Sequence, residues 1–315
     1  MTLVQLRYFV ATIEAGFNIS RAADVVDTSQ PAVSKQLKLL EQELGTTLMT
    51  RNASRLIGLT DSGERVYEAA KRVLRETTGI AQMGQDFMQM ESGRLTIAAL
   101  HTYALALLPK AVARLRQRYP GVVFELQQAS PTHIVELVRA GEVDIGVSMN
   151  PSLDRSGVIA FPFLIAPRVL LMPKNHPLLR LSRVTLEDIV RYPFVAQTDL
   201  SAGGWAISSV LKTRGFTVET AVLATDASLM KAYIEEGLGI AIVSSLLYDA
   251  ARDPGLRAID VSHIFEPSLV TILIDPYRYQ RGYVHDFIEL LAPEWTRVKI
   301  AAAVRQFASA SAPSG

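Results

Sequence analysis

The stretch from Asn18 to Gly45 reads as two short helices joined by a tight turn, and it constrains the fold of this chain more than any other. Apolar Ile19, Ala22, Ala23 and Val26 recur at helical spacing, and Asn18 or Ser20 caps the start by accepting a hydrogen bond from an otherwise unpaired backbone amide. Asp27, Thr28 and Ser29 favour a turn, because their side chains bond nearby backbone, and Pro31 fits a first helical turn, where its missing N–H costs nothing. The second helix buries Val33, Leu37, Leu40 and Leu44 and leaves Gln30, Ser34, Lys35 and Lys38 on a donor-rich outer face. Gly45 ends it, at a position that favours a residue tolerant of positive φ.

Two helices at a steep angle, the second with a polar outer face, match a helix-turn-helix whose recognition helix enters a DNA major groove; a purely structural helical hairpin shares the spacing. Leu3, Leu6, Phe9, Val10 and Ile13 predict a first helix packed beneath that pair, ended by Gly16. After Gly45, Leu48 to Arg51 and Leu56 to Thr60 read as two β segments around a polar tip at Asn52 to Arg55. That is the wing of a winged helix, with Arg51 and Arg55 suited to phosphate, or else an ordinary solvated hairpin.

From Asp61 to Glu91 one long helix is expected, capped by Thr60 or Ser62. Val66, Ala70, Val73, Thr77, Ile80, Gly84 and Phe87 alternate at spacings of four and three, a heptad seam that favours a partner helix and hence a dimer. A helix lying on its own domain is the alternative. Met83, Met88 and Met90 read as helix packing, and Glu91-Ser92-Gly93 as a linker.

Beyond Arg94, strand and helix patterns alternate, which argues for α/β units with parallel sheets. Strands are expected at Leu95 to Leu100, Val122 to Gln128, Val143 to Ser148, Arg168 to Met172, Phe194 to Gln197, Thr217 to Ala224, Ile240 to Ser244 and Leu269 to Ile274. Helices are expected at Tyr103 to Tyr119, Pro131 to Ala140, Trp205 to Lys212, Ala227 to Glu235, Ser245 to Ala251 and Arg281 to Leu291. Two sheets follow, the chain crossing to the second near Ile165 and returning near Phe265, with a disordered tail from Ser309 to Gly315.

A chain of 315 residues accommodates two or three domains, and 49% hydrophobic with 20% charged residues describes a soluble globular protein. A net charge of +1 places any DNA contact on a local surface rather than on bulk charge. The absence of cysteine excludes disulfides, thiolate metal sites and cysteine nucleophiles, and fits a reducing cytoplasm. Arg7 interrupts any signal-peptide core, and the most apolar run, Val158 to Met172, is broken by Pro162, Pro167 and Arg168, so no membrane segment is expected. The histidines at 101, 133, 176, 263 and 285 lack metal-ligand spacing, and no serine lies in a nucleophile elbow. Gly237-Leu238-Gly239 lacks a third glycine and precedes a strand, so it reads as a turn. Neither an enzyme nor a cofactor is expected.

Arg21-Ala22-Ala23, Ser29-Gln30-Pro31-Ala32-Val33-Ser34, Leu40-Glu41-Gln42-Glu43-Leu44-Gly45 and Leu59-Thr60-Asp61-Ser62-Gly63 resemble, in order and spacing, the N-terminal signature of LysR-type transcriptional regulators. The second half resembles the effector-binding part of the same family, and within it the CysB-like branch that serves sulfur metabolism. The words that carry this are His101-Thr102, Arg118-Tyr119-Pro120, Ser130-Pro131-Thr132, Ala224-Thr225-Asp226-Ala227, Gly237-Leu238-Gly239 and Asp286-Phe287-Ile288.

The resemblance implies a winged helix-turn-helix domain over 1–60, a dimerisation helix and hinge over 61–92, and an effector domain over 93–308 built like periplasmic solute-binding proteins. Its subdomain I spans about 93–164 and 266–308, and subdomain II about 165–265. DNA contacts then fall to Ser29, Gln30, Pro31, Ser34, Lys35, Lys38, Arg51 and Arg55, and the protein is expected to be a cytoplasmic dimer or tetramer on double-stranded promoter DNA. A small-molecule effector would lie beyond strand ends, against Leu100, His101, Thr102, Tyr103, Ser148, Met149, Ser201, Ala202, Gly203 and Thr225. In the CysB-like branch the first of these segments usually reads Thr-His-Thr-Gln. Here Leu100 and Tyr103 replace polar positions, Met149 stands where threonine is usual, and Ala202 where another hydroxyl is expected. That loss of hydroxyls points to an organic anion or organosulfur metabolite rather than inorganic sulfate.

Overall fold

The computed structural model describes residues 1–52, 55–87, 92–149, 157–197 and 209–311, in two compact units spanning 1–89 and 90–315. In the first unit, α1 (Leu3–Glu14) starts at a capping box that the sequence reading missed: the Thr2 hydroxyl accepts from the Gln5 amide, and the Gln5 side chain accepts from the Thr2 amide. The next two helices are α2 (Ile19–Val25), where the Asn18 side chain, not Ser20, accepts from the Arg21 amide at 3.1 Å, and α3 (Gln30–Leu44). Asp27 takes φ +54° in the turn between them, and Gly45 closes α3 at φ +65°.

Leu6, Phe9, Ala22, Ala23, Val33, Leu37 and Leu40 form the core of this unit, as the periodicity predicts. Leu3 and Leu44 do not join it, being 49% and 37% exposed, because each occupies a terminal turn of its helix past the residues that cover Leu6 and Leu40. Strand β1 (Met49–Asn52) pairs antiparallel with β2 (Arg55–Leu59), and α4 (Asp61–Phe87) follows with Thr60 as its cap, its hydroxyl accepting from the Gly63 amide at 3.0 Å. The Ser62 hydroxyl instead donates to the Thr47 carbonyl. The seam of α4 divides. Val66 and Ala70 pack on the core of their own unit, with Tyr67 and Leu74, whereas Val73 and Ile80 are 40% and 67% exposed. Met88, Met90 and the Met83 side chain lie outside the described residues.

The second unit opens with β3 (Ser92–Ala99), the short α5 (His101–Ala106), α6 (Leu108–Arg118), β4 (Gly121–Gln128), α7 (Pro131–Arg139) and β5 (Ile145–Met149). Where one helix was expected from Tyr103 to Tyr119, two form, since Pro109 offers no N–H to continue the first and seats itself in the opening turn of the second. The chain continues through β6 (Ile159–Ala166), β7 (Arg168–Pro173), α8 (Leu186–Ile189), β8 (Phe194–Gln197), β9 (Thr220–Ala224), α9 (Ala227–Glu235), β10 (Ala241–Ser244) and β11 (Leu256–Asp260). It ends with β12 (Ser268–Ile274), α10 (Gly282–Leu291) and α11 (Arg297–Ser311).

One sheet has the order β4-β3-β5-β12-β6, another β10-β7-β11, and β8 pairs with β9. The expected parallel pairing holds for β3 with β4 and β5 and for β8 with β9, but β12 is antiparallel to β5 and β6, and β7 to β10 and β11. The strands entered on crossing between sheets are not bound by the helical connection that parallel pairing requires.

Four elements, β6, α8, β11 and α11, escaped the sequence reading. Pro162 hid β6, which tolerates proline because it is a sheet edge and needs fewer donors. β11 buries only Leu256 and so shows no apolar pattern, and α11 extends through Ser309 into the segment expected to be disordered. The helix expected from Ser245 to Ala251 is only a single turn at Ser245–Leu247. There the Asp249 and Asp253 carboxylates take the Ala251 and Asp249 amides, and these local bonds compete with a helix. The helix expected from Trp205 is described only over 209–213.

Candidate nucleic-acid interface and effector cleft

The outer face of α3 is set by burial of the other side. With Val33, Leu37 and Leu40 in the core, Gln30, Pro31, Lys35 and Lys38 are exposed and Ser34 half-exposed, and among the described residues none of their side chains is tied up in a hydrogen bond or ion pair. Ser29 occupies the cap position without a side-chain capping bond, so its hydroxyl also remains open to a partner. Arg51 is drawn back toward Glu41 at 3.5 Å, and the same carboxylate accepts the Leu48 and Met49 amides at 2.9 and 3.2 Å. Glu41, which the sequence reading passed over, therefore pins the wing to α3. The Arg55 side chain lies outside the described residues.

In the second unit, β3 is locked to β5 by Asp144, which accepts from the Thr96 amide and hydroxyl at 2.7 and 2.8 Å and pairs with Arg278 at 2.8 Å. That lock sets the start of α5, where His101 stands between two elements. Its Nδ1 lies 3.1 Å from the Gln128 side chain at the end of β4, and its Nε2 lies 3.4 Å from the Ser228 hydroxyl in the first turn of α9. Asp226 caps α9; the Leu229 amide above all, with the Ser228 amide, the nearby His101 and the Thr225 hydroxyl, holds its carboxyl below the usual range against the opposing effect of burial. Gln128, Asp226 and Ser228 were not among the expected site residues, although Asp226 could have been found as a helix cap.

Of the expected effector residues, Leu100, His101 and Thr102 are half-exposed and Thr225 is exposed. Tyr103, Ser148 and Met149 are 1%, 0% and 7% exposed, so the apolar wall expected from Tyr103 and Met149 is packed into the sheet core instead of facing solvent. The cause is the short α5, which turns its third residue inward into the core of the five-stranded sheet. Ser201, Ala202, Gly203 and Gly204 lie outside the described residues.

Residues 3–64 match the bacterial regulatory helix-turn-helix protein family of lysR type, and residues 88–296 match the LysR substrate binding domain. The chain belongs to the LysR family of transcriptional regulators. It is 34% identical over 305 residues to the HTH-type transcriptional regulator CysB of Burkholderia cenocepacia, covering 97% of each chain. It is likewise 34% identical over 307 residues to SsuR of the same organism, covering 97% of this chain and 99% of that one. The crystal structure of the cofactor-binding domain of the Cbl transcriptional regulator superposes with a TM-score of 0.63 at 31% identity, over 68% of this chain and 93% of that one.

The matching family and these relatives are transcriptional regulators and not enzymes. Two of the family words meet in space: the Asp286 carboxylate accepts from the Tyr119 hydroxyl at 2.8 Å and pairs with Arg118 at 2.6 Å. Gly237-Leu238-Gly239 is the expected turn, Gly237 at φ +80° and Gly239 pressed so close to the Pro193 carbonyl that a Cβ would lie 2.5 Å from it. Among the described residues no helix is long and apolar enough to cross a membrane.

Proposed function

We propose that this LysR regulator binds promoter DNA as a dimer or tetramer, and that an organic anion or organosulfur metabolite held between the two α/β subdomains modulates that binding. The observation that carries the effector site is His101, whose ring faces Gln128 on one subdomain and Ser228 on the other. A ligand that replaces or completes those contacts binds one subdomain arrangement better than another, which is what a ligand must do to change output.

Calorimetry on the full chain, titrated with sulfate and with aliphatic sulfonates and carboxylates, tests this. With Leu100 in place of a hydroxyl, sulfate should bind at least about tenfold more weakly than the best organic anion, because its desolvation is less fully returned by hydrogen bonds. Tight sulfate binding that is insensitive to Thr102→Ala would remove both the ligand class and the location.

On DNA, Gln30, Ser34 and Lys35 are assigned to base edges, Lys38, Arg51 and Arg55 to the phosphate backbone, and Ser29 and Pro31 to the contact surface at the start of the recognition helix. Alanine at a base reader should cost about 1–3 kcal/mol and alter sequence preference. Alanine at Lys38 should weaken all sequences alike and lower the salt slope by about one. Gel-shift titrations at several salt concentrations separate the two patterns, and unchanged affinity in both sets would reject the face.

A further inference from the structure

Arg168 opens β7 immediately after the chain has crossed from the five-stranded sheet, and only 5% of it is exposed. Among the described residues its guanidinium has no ion-pair or hydrogen-bond partner. A guanidinium this little exposed and without an ion-pair partner is unfavourable, and burial lowers its pKa, opposed by the Tyr103 phenol. Tyr103 is 1% exposed and Ser268 fully buried, and each hydroxyl lacks a hydrogen-bond partner although the two are neighbours. Burial pushes the Tyr103 phenol up to about 12, against Arg168 and Ser268, so it stays protonated and able to donate.

These groups converge on the two crossings between subdomains. Ser268 stands opposite Ala166 in the β12/β6 pairing, two residues before Arg168, and Arg168 stands opposite Ser244 in the β7/β10 pairing. The turn Ser245–Leu247 that follows Ser244 packs against α5, the helix that carries Tyr103. A guanidinium and two hydroxyls are all capable of donating, and among the described residues no carboxylate pairs with Arg168.

We infer that Arg168, Tyr103 and Ser268 form the seat of the effector's oxyanion head, a sulfonate or carboxylate that enters between the subdomains. This rests on the interdomain effector reading above, and it moves the charge-bearing contact from the Thr102 and 201–204 region to the hinge. It also changes the part played by Tyr103, from apolar wall to donor. The anion supplies the acceptors that three buried groups lack, and the forked guanidinium suits a planar carboxylate or a sulfonate face. Because the donors belong to both crossings, a bound anion joins the two subdomains at their hinge and so favours one arrangement of them.

The test is calorimetry and thermal denaturation of the full chain with methanesulfonate, longer alkyl sulfonates, acetate and succinate, using a neutral amide as control. The best-binding anion should lose on the order of a hundredfold in affinity with Arg168→Gln, and less with Arg168→Lys, which keeps the charge but not the fork. Tyr103→Phe with Ser268→Ala should weaken it about tenfold or more while leaving the ligand-free melting temperature unchanged or higher, since neither hydroxyl has a partner there. That pair decides the question even if Arg168→Gln does not fold. Binding that the Tyr103→Phe/Ser268→Ala pair leaves intact but Thr102→Ala abolishes overturns the inference alone. Failure of every anion to bind the unaltered chain overturns the effector reading, and the inference with it.

Discussion

Gly63→Ala should unfold or loosen the DNA-binding unit and abolish operator binding. A Cβ on Gly63 would fall inside the Leu48 carbonyl group, a backbone atom that cannot swing aside as a side chain would. That carbonyl already accepts the Thr60 amide at 3.0 Å, and the Leu48 and Met49 amides are held by Glu41. The added methyl must therefore displace either the first turn of α4 or the wing. Overpacking of this kind costs typically about 1–3 kcal/mol and more where the neighbour is backbone. A unit of this size has only about 5 kcal/mol or so to lose, and each kcal/mol lowers the melting temperature by roughly 4–8 °C. Thermal denaturation followed by gel shift measures it, with Gly84→Ala as the contrast: nothing lies within 4 Å of a Cβ there, and the change should help the helix by about 0.5–1 kcal/mol. A melting temperature within about 2 °C of the unaltered chain for Gly63→Ala would show that the contact is easily relieved.

Ile80→Asp should dissociate the oligomer while leaving each chain folded. Ile80 is 67% exposed along α4, so in a lone chain the substitution removes little packing and should cost little. Against a partner helix it places an unpaired carboxylate in a seam that excludes water, which costs several kcal/mol. At 1.4 kcal/mol per tenfold, about 3 kcal/mol is already more than a hundredfold in dimer affinity. The contrast between the two halves of the seam sharpens the expectation. Val66 and Ala70 are occupied by their own unit, so pairing is left to the C-terminal half of the helix, where Val73 and Ile80 stand open. Sedimentation velocity reads the outcome, with Ile80→Leu as a variant that should remain associated. An intact oligomer in Ile80→Asp would take α4 out of the interface.

The helix pair that faces DNA was legible in the sequence because its determinants act within one or two turns: the Asn18 cap, the Asp27 turn, Pro31 in the opening turn and Gly45 at φ +65°. Apolar spacing likewise identified Val33, Leu37 and Leu40 as the buried side, and therefore the outer face by exclusion. Which apolar residues remain covered at a helix end, as for Leu3 and Leu44, depends on where a crossing helix stops, and no local pattern carries that information. The same holds for β6, whose proline is acceptable only because no strand pairs on its far side. Arg168 was visible in the sequence as the charge that interrupts an apolar run. Its burial beside two unpartnered hydroxyls follows from strands more than seventy residues apart meeting at the subdomain crossings, a long-range pairing that only the tertiary structure decides.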